Sequence, residues 1–401
     1  MNIAVAQSGG PTCAINASLL GVFCQALKEE KINLIYGAKN GIEGIINDNL
    51  VLLNSVIKTD EDIDLIRQTP STILGSCRYK LPHYKDDENV YKTIIECFEK
   101  HEIGAFFYIG GNDSMDTVAK LSEYVKEQNK NIIVIGIPKT IDNDLVFTDH
   151  TPGFGSAAKY VTTTMLEVIR DSSVYDLNSV TIVEIMGRNA GWLTASCSLL
   201  RANGEIAPHL IYLPESNITV QKIIDDIKKV REEHKSIIIA VSEGLRLEGL
   251  DTFDCGMPVD EFGHANLAGV GKLLKDIVAN TLHCKVRSIE LNVMQRCSSH
   301  ISSKTDIDEA ELVASCAVKT AMNGITGKMM AFKRVNNNPY TIEIEAVEAK
   351  DVANKEKLFP KEWINAEQNN IEDAAIEYFL PLISGEQNIK TLNGLPIHFK
   401  I

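Results

Sequence analysis

The order of apolar and polar residues near the start of the chain predicts a strand, a turn, a helix and a second strand. The apolar run Ile3 to Ala6 is followed by the turn Ser8-Gly9-Gly10-Pro11, by a helical pattern from about Ala14 to Glu30, and by the run Ile32 to Tyr36. Short unbroken apolar runs on either side of a helix are typical of parallel strands that are buried on both faces. We therefore predict that the chain opens with a β-turn-α-β unit.

The same order of elements recurs in the middle of the chain. A strand is predicted at Ala105 to Ile109, a helix at about Ser114 to Gln128 and a further strand at Ile132 to Ile137. Two later apolar runs, Thr181 to Met186 and Ile237 to Val241, end at polar turns that contain glycine. Strands that alternate with helices indicate an α/β fold with parallel sheets. In such folds ligands bind at the carboxyl ends of the strands, so the residues directly after each run are the candidates for function.

The remaining patterns are weaker. A helix is expected after Gly187, and the stretch Arg334 to Pro339 predicts a hairpin turn or a loop. The segment Ile371 to Leu380 has a helical pattern, and no chemistry is evident in it. We find neither a repeat of fixed period nor a low-complexity segment.

Length and charge narrow the class of protein. A chain of 401 residues, 44% apolar and 23% charged, is typical of a globular protein with two domains. The formal net charge of -14, without a Lys- or Arg-rich run, disfavours nucleic acid and acidic membrane surfaces as partners. A small anionic substrate is compatible with this charge, because a few Arg and Lys residues can make a cleft locally positive.

The nine cysteines are scattered, odd in number and without a Cys-x-x-Cys pair, which favours free thiols in a reducing compartment. The N-terminal stretch lacks the basic start and apolar core of a signal peptide, and no apolar run approaches the length of a membrane span. We therefore expect a cytoplasmic protein.

The turn from Ser8 to Thr12 lies between a predicted strand and a predicted helix. Its glycines would let backbone N–H groups approach an anion at the positive end of the helix, which is the form of a phosphate cradle. The same residues fit a tight turn that binds nothing, because glycine also serves backbone geometry alone. Both interpretations stay open at this point.

A second turn, Gly110-Gly111-Asn112-Asp113-Ser114, adds a carboxylate and a hydroxyl after a strand. Mg²⁺ is commonly held through substrate phosphates and one or two carboxylates, so this turn suits a metal ion. The alternative is that Asp113 or Ser114 is only the N-cap of the following helix. The two roles are compatible.

The most informative stretch, Pro138 to Asp144, places one ammonium, one hydroxyl and two carboxylates within seven residues after a predicted strand. Such crowding contributes little to folding. Phosphoryl transfer needs these groups: a base for the attacking hydroxyl, a carboxylate for a metal, and cations for the transferred and leaving phosphates. The sequence favours a catalytic site here over a solvated polar loop.

A set of motifs in one order makes the chain resemble the phosphofructokinase family. The motifs are Ser8-Gly9-Gly10, Gly75-Ser76-Cys77-Arg78, Gly110 to Ser114, Pro138 to Asp144, Met186-Gly187-Arg188, Ser242-Glu243-Gly244 and Gln295-Arg296. Several independent motifs in order are much harder to produce by chance than one glycine pattern. The resemblance implies a Mg²⁺-dependent enzyme that phosphorylates the 1-hydroxyl of fructose 6-phosphate.

The resemblance also implies roles for single residues. Asp142 resembles the general base, and the other catalytic groups would be Lys139, Thr140 and Arg188. The phosphoryl donor would be bound by Gly10, Arg78, Asp113, Ser114 and Lys139. The sugar phosphate would be bound by Thr140, Asp142, Asp144, Met186, Gly187, Arg188, Glu243, Arg287 and Arg296, the last two as the pair that holds the 6-phosphate. Mg²⁺ would be held by Asp113 and Asp144.

Two positions indicate which donor is used. In the family that this chain resembles, members that use ATP have Gly-Gly-Asp-Gly-Ser in the second turn and Pro-Gly-Thr-Ile-Asp-Asn-Asp in the catalytic stretch. This chain has Asp113 in place of the last glycine of the first motif and Lys139 in place of the glycine of the second. That pattern resembles the pyrophosphate-dependent members. A carboxylate at Asp113 would repel the α-phosphate of a nucleotide, and an ammonium at Lys139 would stabilise a departing phosphate. The sequence therefore predicts pyrophosphate as the donor.

Three residues depart from the family pattern. Asn112 stands where the family usually has an aspartate assigned to Mg²⁺, which would shift metal binding to Asp113, Asp142 or Asp144. Ser179 stands where many members have an arginine that reaches the sugar phosphate of a neighbouring subunit, and Val293 where a histidine or tyrosine contacts that sugar. Lys80 and Lys159 are candidates to compensate, although either is equally well explained as a surface charge.

The resemblance implies two doubly wound, Rossmann-like α/β domains and a helical C-terminal segment. The larger domain, residues 1–153 and 295–345, would hold pyrophosphate and Mg²⁺, and the smaller one, residues 154–294 and 346–401, the sugar phosphate. We expect a homo-oligomer, either a dimer or a tetramer. The alternatives are an ATP-dependent 6-phosphofructokinase and, from another class, a non-catalytic regulatory subunit.

Overall fold

The computed structural model of the protein describes residues 1–248 and 269–401, and Cys255 lies outside the described residues. The strands are, in chain order, β1 (Asn2–Gln7), β2 (Ile35–Ala38), β3 (Leu50–Leu52), β4 (Ile103–Gly110), β5 (Ile133–Pro138), β6 (Ser179–Ile185), β7 (Leu210–Tyr212), β8 (Ile218–Thr219), β9 (Ser236–Ser242), β10 (Leu247–Glu248), β11 (Lys285–Glu290), β12 (Lys328–Asn337), β13 (Tyr340–Glu348), β14 (Thr391–Leu392) and β15 (Leu395–Pro396). The α-helices are α1 (Ile15–Ala26), α2 (Ile42–Ile46), α3 (Leu53–Val56), α4 (Asp60–Gln68), α5 (Glu88–Lys100), α6 (Asn112–Glu127), α7 (Phe154–Ser172), α8 (Trp192–Ala195), α9 (Val220–Arg231), α10 (Val270–Leu282), α11 (Met294–Cys297), α12 (Lys304–Met322), α13 (Ala349–Val352) and α14 (Asp373–Phe379).

The larger sheet has the strand order β13-β12-β5-β4-β1-β2-β3 within the described chain. The pairs from β12 to β2 are parallel, as predicted, whereas the edge strands β13 and β3 are antiparallel to their neighbours. The stretch Arg334 to Pro339 forms the end of a hairpin between β12 and β13. Of the two predictions for this stretch, the hairpin turn is confirmed. The chain leaves β1 toward β2 on one side and returns to β4 on the other, so a ligand cleft is expected at the carboxyl ends of β1 and β4.

Both faces of the larger sheet are covered, because successive residues of its buried strands point to opposite sides. In β1, Ile3 and Val5 pack with α1 and α12, whereas Ala4 and Ala6 pack with α5 and α6. This arrangement explains why the strand is an unbroken apolar run.

The smaller sheet is parallel throughout its four described strands, in the order β11-β6-β9-β7. Helices α7 and α14 pack on one face, and α9 and α10 pack on the other. The helix expected after Gly187 is present as α8 and continues as a 3₁₀ helix from Ser196 to Asn203. The prediction of α/β sheets covered on both faces is confirmed for both sheets.

The C-terminal segment contacts both sheets. Helix α14, followed by a 3₁₀ helix from Leu380 to Ile383, confirms the predicted helical pattern and packs with α7. The last residues turn back to the larger sheet, where the Gln68 Nε2 donates to the Lys390 carbonyl at 3.0 Å and the Phe399 N–H donates to Thr69 Oγ1 at 2.8 Å. The short β14–β15 hairpin in this tail was not predicted. The division of the chain into two domains stays a prediction.

Two further observations concern the helices and the cysteines. Across the described part of the chain, every helix falls short of the length or the hydrophobicity that a bilayer crossing requires. The cysteines of the described residues are all free thiols, as their number and spacing predict.

Candidate active site

A cleft of about 510 Å³ lies where the carboxyl ends of β1, β4 and β5 face those of β6 and β9. Almost every residue that the sequence predicted for the site lines this cleft. The predicted residues brought together here are Gly10, Arg78, Asp113, Ser114, Lys139, Thr140, Asp142, Asp144, Met186, Arg188, Glu243 and Arg296. The rule that ligands collect after the carboxyl ends of parallel strands therefore located the cleft from the sequence.

The turn after β1 shapes one wall of the cleft. Gly9 has a φ of +73°, a conformation that favours glycine, and it lies against the side chain of Lys139. The turn lines the cleft with Ser8, Gly9 and Gly10, but the first turn of α1 is buried in the core and lies outside the lining. The turn therefore offers backbone groups to a ligand without the help of the positive end of α1.

Helix α6 is the helix whose N-terminus reaches the cleft. Its N-cap is Gly111, without a side-chain cap, so the prediction that Asp113 or Ser114 is the N-cap was wrong. Asp113 lies in the first helical turn, where the helix dipole stabilises a negative charge, and its side chain lines the cleft. Ser114 Oγ donates to Ser8 Oγ at 3.0 Å, which ties the second turn to the first.

Asn112 has a structural role at this position. Its Oδ1 accepts from the Asn354 N–H, and its Nδ2 donates to the Lys355 carbonyl. The amide thus holds the backbone of a distant segment against the start of α6. Metal binding by the neighbouring carboxylates stays a prediction.

The stretch after β5 is fixed by its own side chains and by the turn after β1. The Lys139 side chain is buried, and its Nζ donates to the Gly10 carbonyl at 2.7 Å. Thr140 Oγ1 accepts from the Asp142 N–H at 3.1 Å and donates to Asp142 Oδ2 at 3.4 Å. The Thr140 carbonyl accepts from Thr151 Oγ1 at 2.8 Å. Asp142 is therefore held in place by hydrogen bonds rather than exposed on a mobile loop.

Burial and neighbouring charges perturb the pKa of each ionisable group in this stretch. Burial lowers the pKa of Lys139 to about 8, although the charge of Asp142 opposes this effect. Burial raises the pKa of Asp142, and the positive charges of Arg188 and Lys139 oppose the rise. Burial and the charge of Asp142 together raise the pKa of Asp144 to about 7. Acidic and basic groups with perturbed pKa values in one cleft are typical of an active site.

The opposite wall comes from the turns after β6 and β9, which are bonded to each other. The Gly187 N–H donates to Glu243 Oε1 at 3.4 Å, and Ser242 Oγ donates to the Gly187 carbonyl at 2.5 Å. Gly244 has to be glycine, because a Cβ there would lie 1.8 Å from the Arg188 carbonyl oxygen. Burial raises the pKa of Glu243 to about 7, so this carboxyl can donate as well as accept hydrogen bonds near neutral pH.

The arginines predicted to bind phosphate fall into two groups. Arg78, Arg188 and Arg296 line the cleft, and burial together with the charge of Arg78 lowers the pKa of Arg296. Arg287 lies outside the cleft of its own chain, on β11, where its Nη1 donates to Asp171 Oδ2 at 3.2 Å. Arg287 and Arg296 therefore do not form a pair within one chain, because β11 directs Arg287 toward the end of α7. Their shared role in holding the 6-phosphate stays a prediction.

The residues that depart from the family pattern lie elsewhere. Ser179 borders a small cavity together with Arg287, and Val293 is exposed next to α11. Lys159 Nζ is bound to the Gly385 carbonyl and to Glu386, so it does not replace a phosphate ligand in the cleft. Lys80 is an exposed residue.

Sequence reasoning missed the cleft residues Asn189, Asn354 and Glu356. Asn189 Nδ2 donates to Glu356 Oε1 at 2.8 Å, which closes the wall between the two halves of the cleft. Asn354 and Glu356 follow α13, in a segment with no motif, so only their contact with Asn112 and Asn189 reveals them. For Asn189, its place directly after Met186-Gly187-Arg188 was the available signal.

The oxygen donors of the cleft suit Mg²⁺. Asp113 and Asp144 offer carboxylates, and Ser8 and Ser114 offer hydroxyls, beside a wall that would bind phosphates. A hard cation of this kind prefers oxygen ligands and is often held by one or two carboxylates and substrate phosphates. The chemistry of the donor set therefore fits the metal that the sequence predicted.

Comparisons with known proteins identify the family of this chain. The family model described as Phosphofructokinase matches residues 2–320. A pyrophosphate--fructose 6-phosphate 1-phosphotransferase from Halomonas elongata is 38% identical over 98% of this chain and 94% of its own length. One from Methylococcus capsulatus is 36% identical over the same shares. The crystal structure of a pyrophosphate-dependent phosphofructokinase from Marinobacter aquaeolei superposes with a TM-score of 0.88 at 35% identity, covering 99% of this chain and 95% of that one. The chain belongs to the phosphofructokinase family.

Proposed function

We propose that this protein transfers a phosphoryl group reversibly from pyrophosphate to the 1-hydroxyl of fructose 6-phosphate, giving fructose 1,6-bisphosphate and phosphate. The observation that carries the proposal is the position of Asp142. It lines one cleft together with Lys139 and Asp113, assigned to the donor, and Met186, Arg188 and Glu243, assigned to the sugar. The proposal is supported by relatives that match nearly the whole chain.

Asp142 is the group suited to act as general base. Arg188 and Lys139 favour its ionised form against the effect of burial, and a base must be ionised before it accepts a proton. The 1-hydroxyl would give its proton to the Asp142 carboxylate while its oxygen bonds to the near phosphorus of pyrophosphate. The bridging P–O bond then breaks and phosphate leaves.

The cations stabilise the charge that moves during this step. Arg188 and Arg78 would flank the transferred group, and Lys139, next to the Gly10 carbonyl, would neutralise the departing phosphate. Asp113 and Asp144 would hold Mg²⁺, which when bound neutralises charge on the pyrophosphate oxygens. Ser114, Gly10 and Thr140 would complete the contacts to the donor and the transferred group.

The choice of donor rests on Asp113 and Lys139. The Asp113 residue lies in the first turn of α6 and lines the cleft, and the charge of its carboxylate would repel the α-phosphate of a nucleotide. Lys139 fills the space that a glycine would leave beneath the turn after β1. Both residues favour the shorter donor.

For Arg287, the proposal is that the side chain in one copy of the chain contacts the sugar 6-phosphate bound in the cleft of another copy. Tyr175 and Leu177, which border the same small cavity as Arg287, are more than half exposed, at 57% and 55%. Exposed apolar side chains around an arginine are typical of an interface. This surface supports a homo-oligomer, a dimer or tetramer, and the free thiols support a location in the cytoplasm.

The test is an assay of fructose 1,6-bisphosphate formation by the purified protein with Mg²⁺, fructose 6-phosphate and either pyrophosphate or ATP. We expect turnover with pyrophosphate, and a kcat/KM for ATP lower by about a hundredfold or more, equivalent to about 2.7 kcal/mol of discrimination. Turnover with ATP alone would contradict the proposed donor. A protein inert with both donors but able to bind fructose 6-phosphate would support a regulatory subunit instead.

A further inference from the structure

The backbone between the Asp142 and Asp144 carboxylates of the cleft is held in an unfavourable conformation. Asn143 lies between Asp142 and Asp144, has a φ of +54° and is fully buried. L-residues adopt this left-handed conformation at a cost, and asparagine is among the residues that tolerate it best. With the Asn143 side chain turned into the protein, the side chains of Asp142 and Asp144 both line the cleft. Whatever holds Asn143 therefore also sets the direction of both carboxylates.

Lys357 is the first of two residues that hold this backbone. Its Nζ donates to Asn143 Oδ1 at 3.4 Å, to the Thr148 carbonyl at 3.0 Å and to the Asp149 carbonyl at 2.7 Å. An ammonium has three donors, so the loop from Asn143 to Asp149 satisfies all of them. The Lys357 N–H donates in addition to the Asp144 carbonyl at 2.7 Å.

Tyr378 is the second of these residues. Its hydroxyl accepts from Asn143 Nδ2 at 2.9 Å and donates to the Asp149 carbonyl at 2.7 Å. Both functional groups of the Asn143 amide are thus bound by residues that follow it by more than two hundred positions. Tyr378 lies on α14, whose buried residues belong to the same hydrophobic core as those of α7, so a movement of α14 would disturb that core.

The far end of the loop is anchored as well. Arg334 donates to Asp149 Oδ1 through Nε at 3.1 Å and Nη2 at 2.9 Å. His150 bridges Asp149 Oδ1 at 2.9 Å and Glu309 Oε2 at 2.7 Å. These hydrogen bonds fix Asp149. Because Lys357 and Tyr378 each bind both Asn143 and the Asp149 carbonyl, they tie Asn143 to a fixed residue.

We propose that Lys357 and Tyr378 are positioning residues for the catalytic reaction, which hold Asp142 and Asp144 in their working orientation through Asn143. Neither residue lines the cleft, so both act through the loop rather than on the substrate. Both lie beyond the residues that match the family model. The C-terminal part of this chain, which carries no recognisable catalytic motif, thereby takes part in the chemistry. The inference rests on the proposed function for its kinetic test only.

The kinetic test compares Lys357→Met with Arg201→Met. Arg201 anchors the same C-terminal segment, through Asn370 Oδ1 at 2.9 Å and the Ile371 carbonyl at 2.5 Å, but does not touch the loop. We expect Lys357→Met to lower kcat with pyrophosphate by about 10- to 100-fold, because small displacements of reacting groups have effects of this size. The KM values for both substrates should stay within about threefold of wild type. Arg201→Met should keep the wild-type kcat.

Tyr378→Phe is the milder variant, since it keeps the ring in the core and loses only the hydroxyl. We expect a smaller fall in kcat in the same direction, again with unchanged KM. Equal losses of kcat in Lys357→Met and Arg201→Met would overturn the inference, because docking of the segment as a whole would then explain both. Wild-type kcat in Lys357→Met and Tyr378→Phe would overturn it as well.

A second readout does not depend on turnover. Hydrogen exchange of peptides that cover residues 139–150, followed by mass spectrometry, reports directly on the loop. Lys357→Met should lose protection in these peptides, and Arg201→Met should match the wild type. If the wild type fails to use pyrophosphate, the proposed function fails, whereas the exchange pattern still supports or contradicts the positioning role. Unchanged protection in Lys357→Met would contradict it.

Discussion

Replacing Lys139 by methionine is expected to slow phosphoryl transfer and, at neutral pH, to stabilise the folded protein. The Lys139 side chain is 3% exposed, and the hydrogen bond from its Nζ to the Gly10 carbonyl is 2.7 Å long. Burial lowers its pKa from 10.5 to about 8. A lysine whose pKa falls on folding keeps its positive charge in the folded state at a cost in free energy.

The size of the effect follows from that pKa. A fall of about 2.5 units corresponds to about 3 kcal/mol at about 1.4 kcal/mol per unit, which is the cost of keeping Lys139 charged in the folded protein at pH 7. Methionine fills a similar volume without a charge, and the lost hydrogen bond to Gly10 costs about 1 kcal/mol. The free energy of unfolding of Lys139→Met should therefore exceed that of the wild type by about 2 kcal/mol at pH 7.

The advantage of the methionine variant should depend on pH. Between about pH 8 and pH 10.5 the unfolded lysine holds a proton that the folded lysine has released, so this residue makes the wild type more stable as pH rises. The advantage of the variant is thus fully present below pH 8, decreases as pH rises above 8 and is lost by about pH 9.5. At pH 9.5 it should be smaller by about 2 kcal/mol.

Catalysis should respond in the opposite direction. Loss of the cation that faces the departing phosphate is expected to lower kcat with pyrophosphate by about 10²- to 10³-fold, as for other groups that stabilise developing charge. Urea unfolding at pH 7 and 9.5, together with steady-state kinetics, measures both effects.

Lys159→Met is the matched control, since Lys159 is a buried lysine paired with Glu386 outside the cleft. It should lose stability and keep its kcat. A Lys139→Met variant with wild-type kcat, or one that is less stable than the wild type at pH 7, would refute the reasoning.

Three further changes probe the two halves of the cleft. Asp142→Ser removes the base and should lower kcat by about 10²- to 10⁴-fold, while calorimetry should show binding of fructose 6-phosphate within threefold of wild type; retained turnover would exclude Asp142 as the base. Arg287→Ala should raise the KM for fructose 6-phosphate and leave that for pyrophosphate unchanged, and an unaltered KM would remove Arg287 from the sugar site of a neighbouring copy. Asp113→Gly should make turnover with ATP measurable, and its complete absence would argue against charge repulsion as the barrier to a nucleotide.

Local patterns predicted six of the fifteen described strands, β1, β2, β4, β5, β6 and β9, because these strands are largely apolar runs bounded by turn residues. Among the predicted strands, the limits of β2 were wrong, because the run Ile32 to Tyr36 predicted a strand that in fact begins at Ile35 and continues to Ala38. Its limits follow from pairing with β1, where Ile3 lies opposite Ile35 and Ala6 opposite Ala38. The limits of a strand such as β2 depend on its pairing with a strand elsewhere in the chain, and a local pattern of residues does not reveal that pairing.

The same distinction applies to the site. Asp142, Lys139 and Glu243 follow their strands directly, so their place at the sheet edge could be read from the sequence. Glu356 and Lys357 come from a segment without regular structure, and their contacts with Asn189 and Asn143 depend on how that segment crosses the finished fold. These contacts join residues that are well separated along the chain, so they could not be anticipated.

The central claim is that pyrophosphate is the phosphoryl donor and the 1-hydroxyl of fructose 6-phosphate the acceptor. A ³¹P NMR time course of the purified enzyme with Mg²⁺, fructose 6-phosphate, pyrophosphate and ATP together in one sample tests it most directly. We predict that the pyrophosphate signal falls while inorganic phosphate and the two phosphate monoester signals of fructose 1,6-bisphosphate grow, with the ATP signals constant. Loss of the γ-phosphate signal of ATP with constant pyrophosphate would contradict the account.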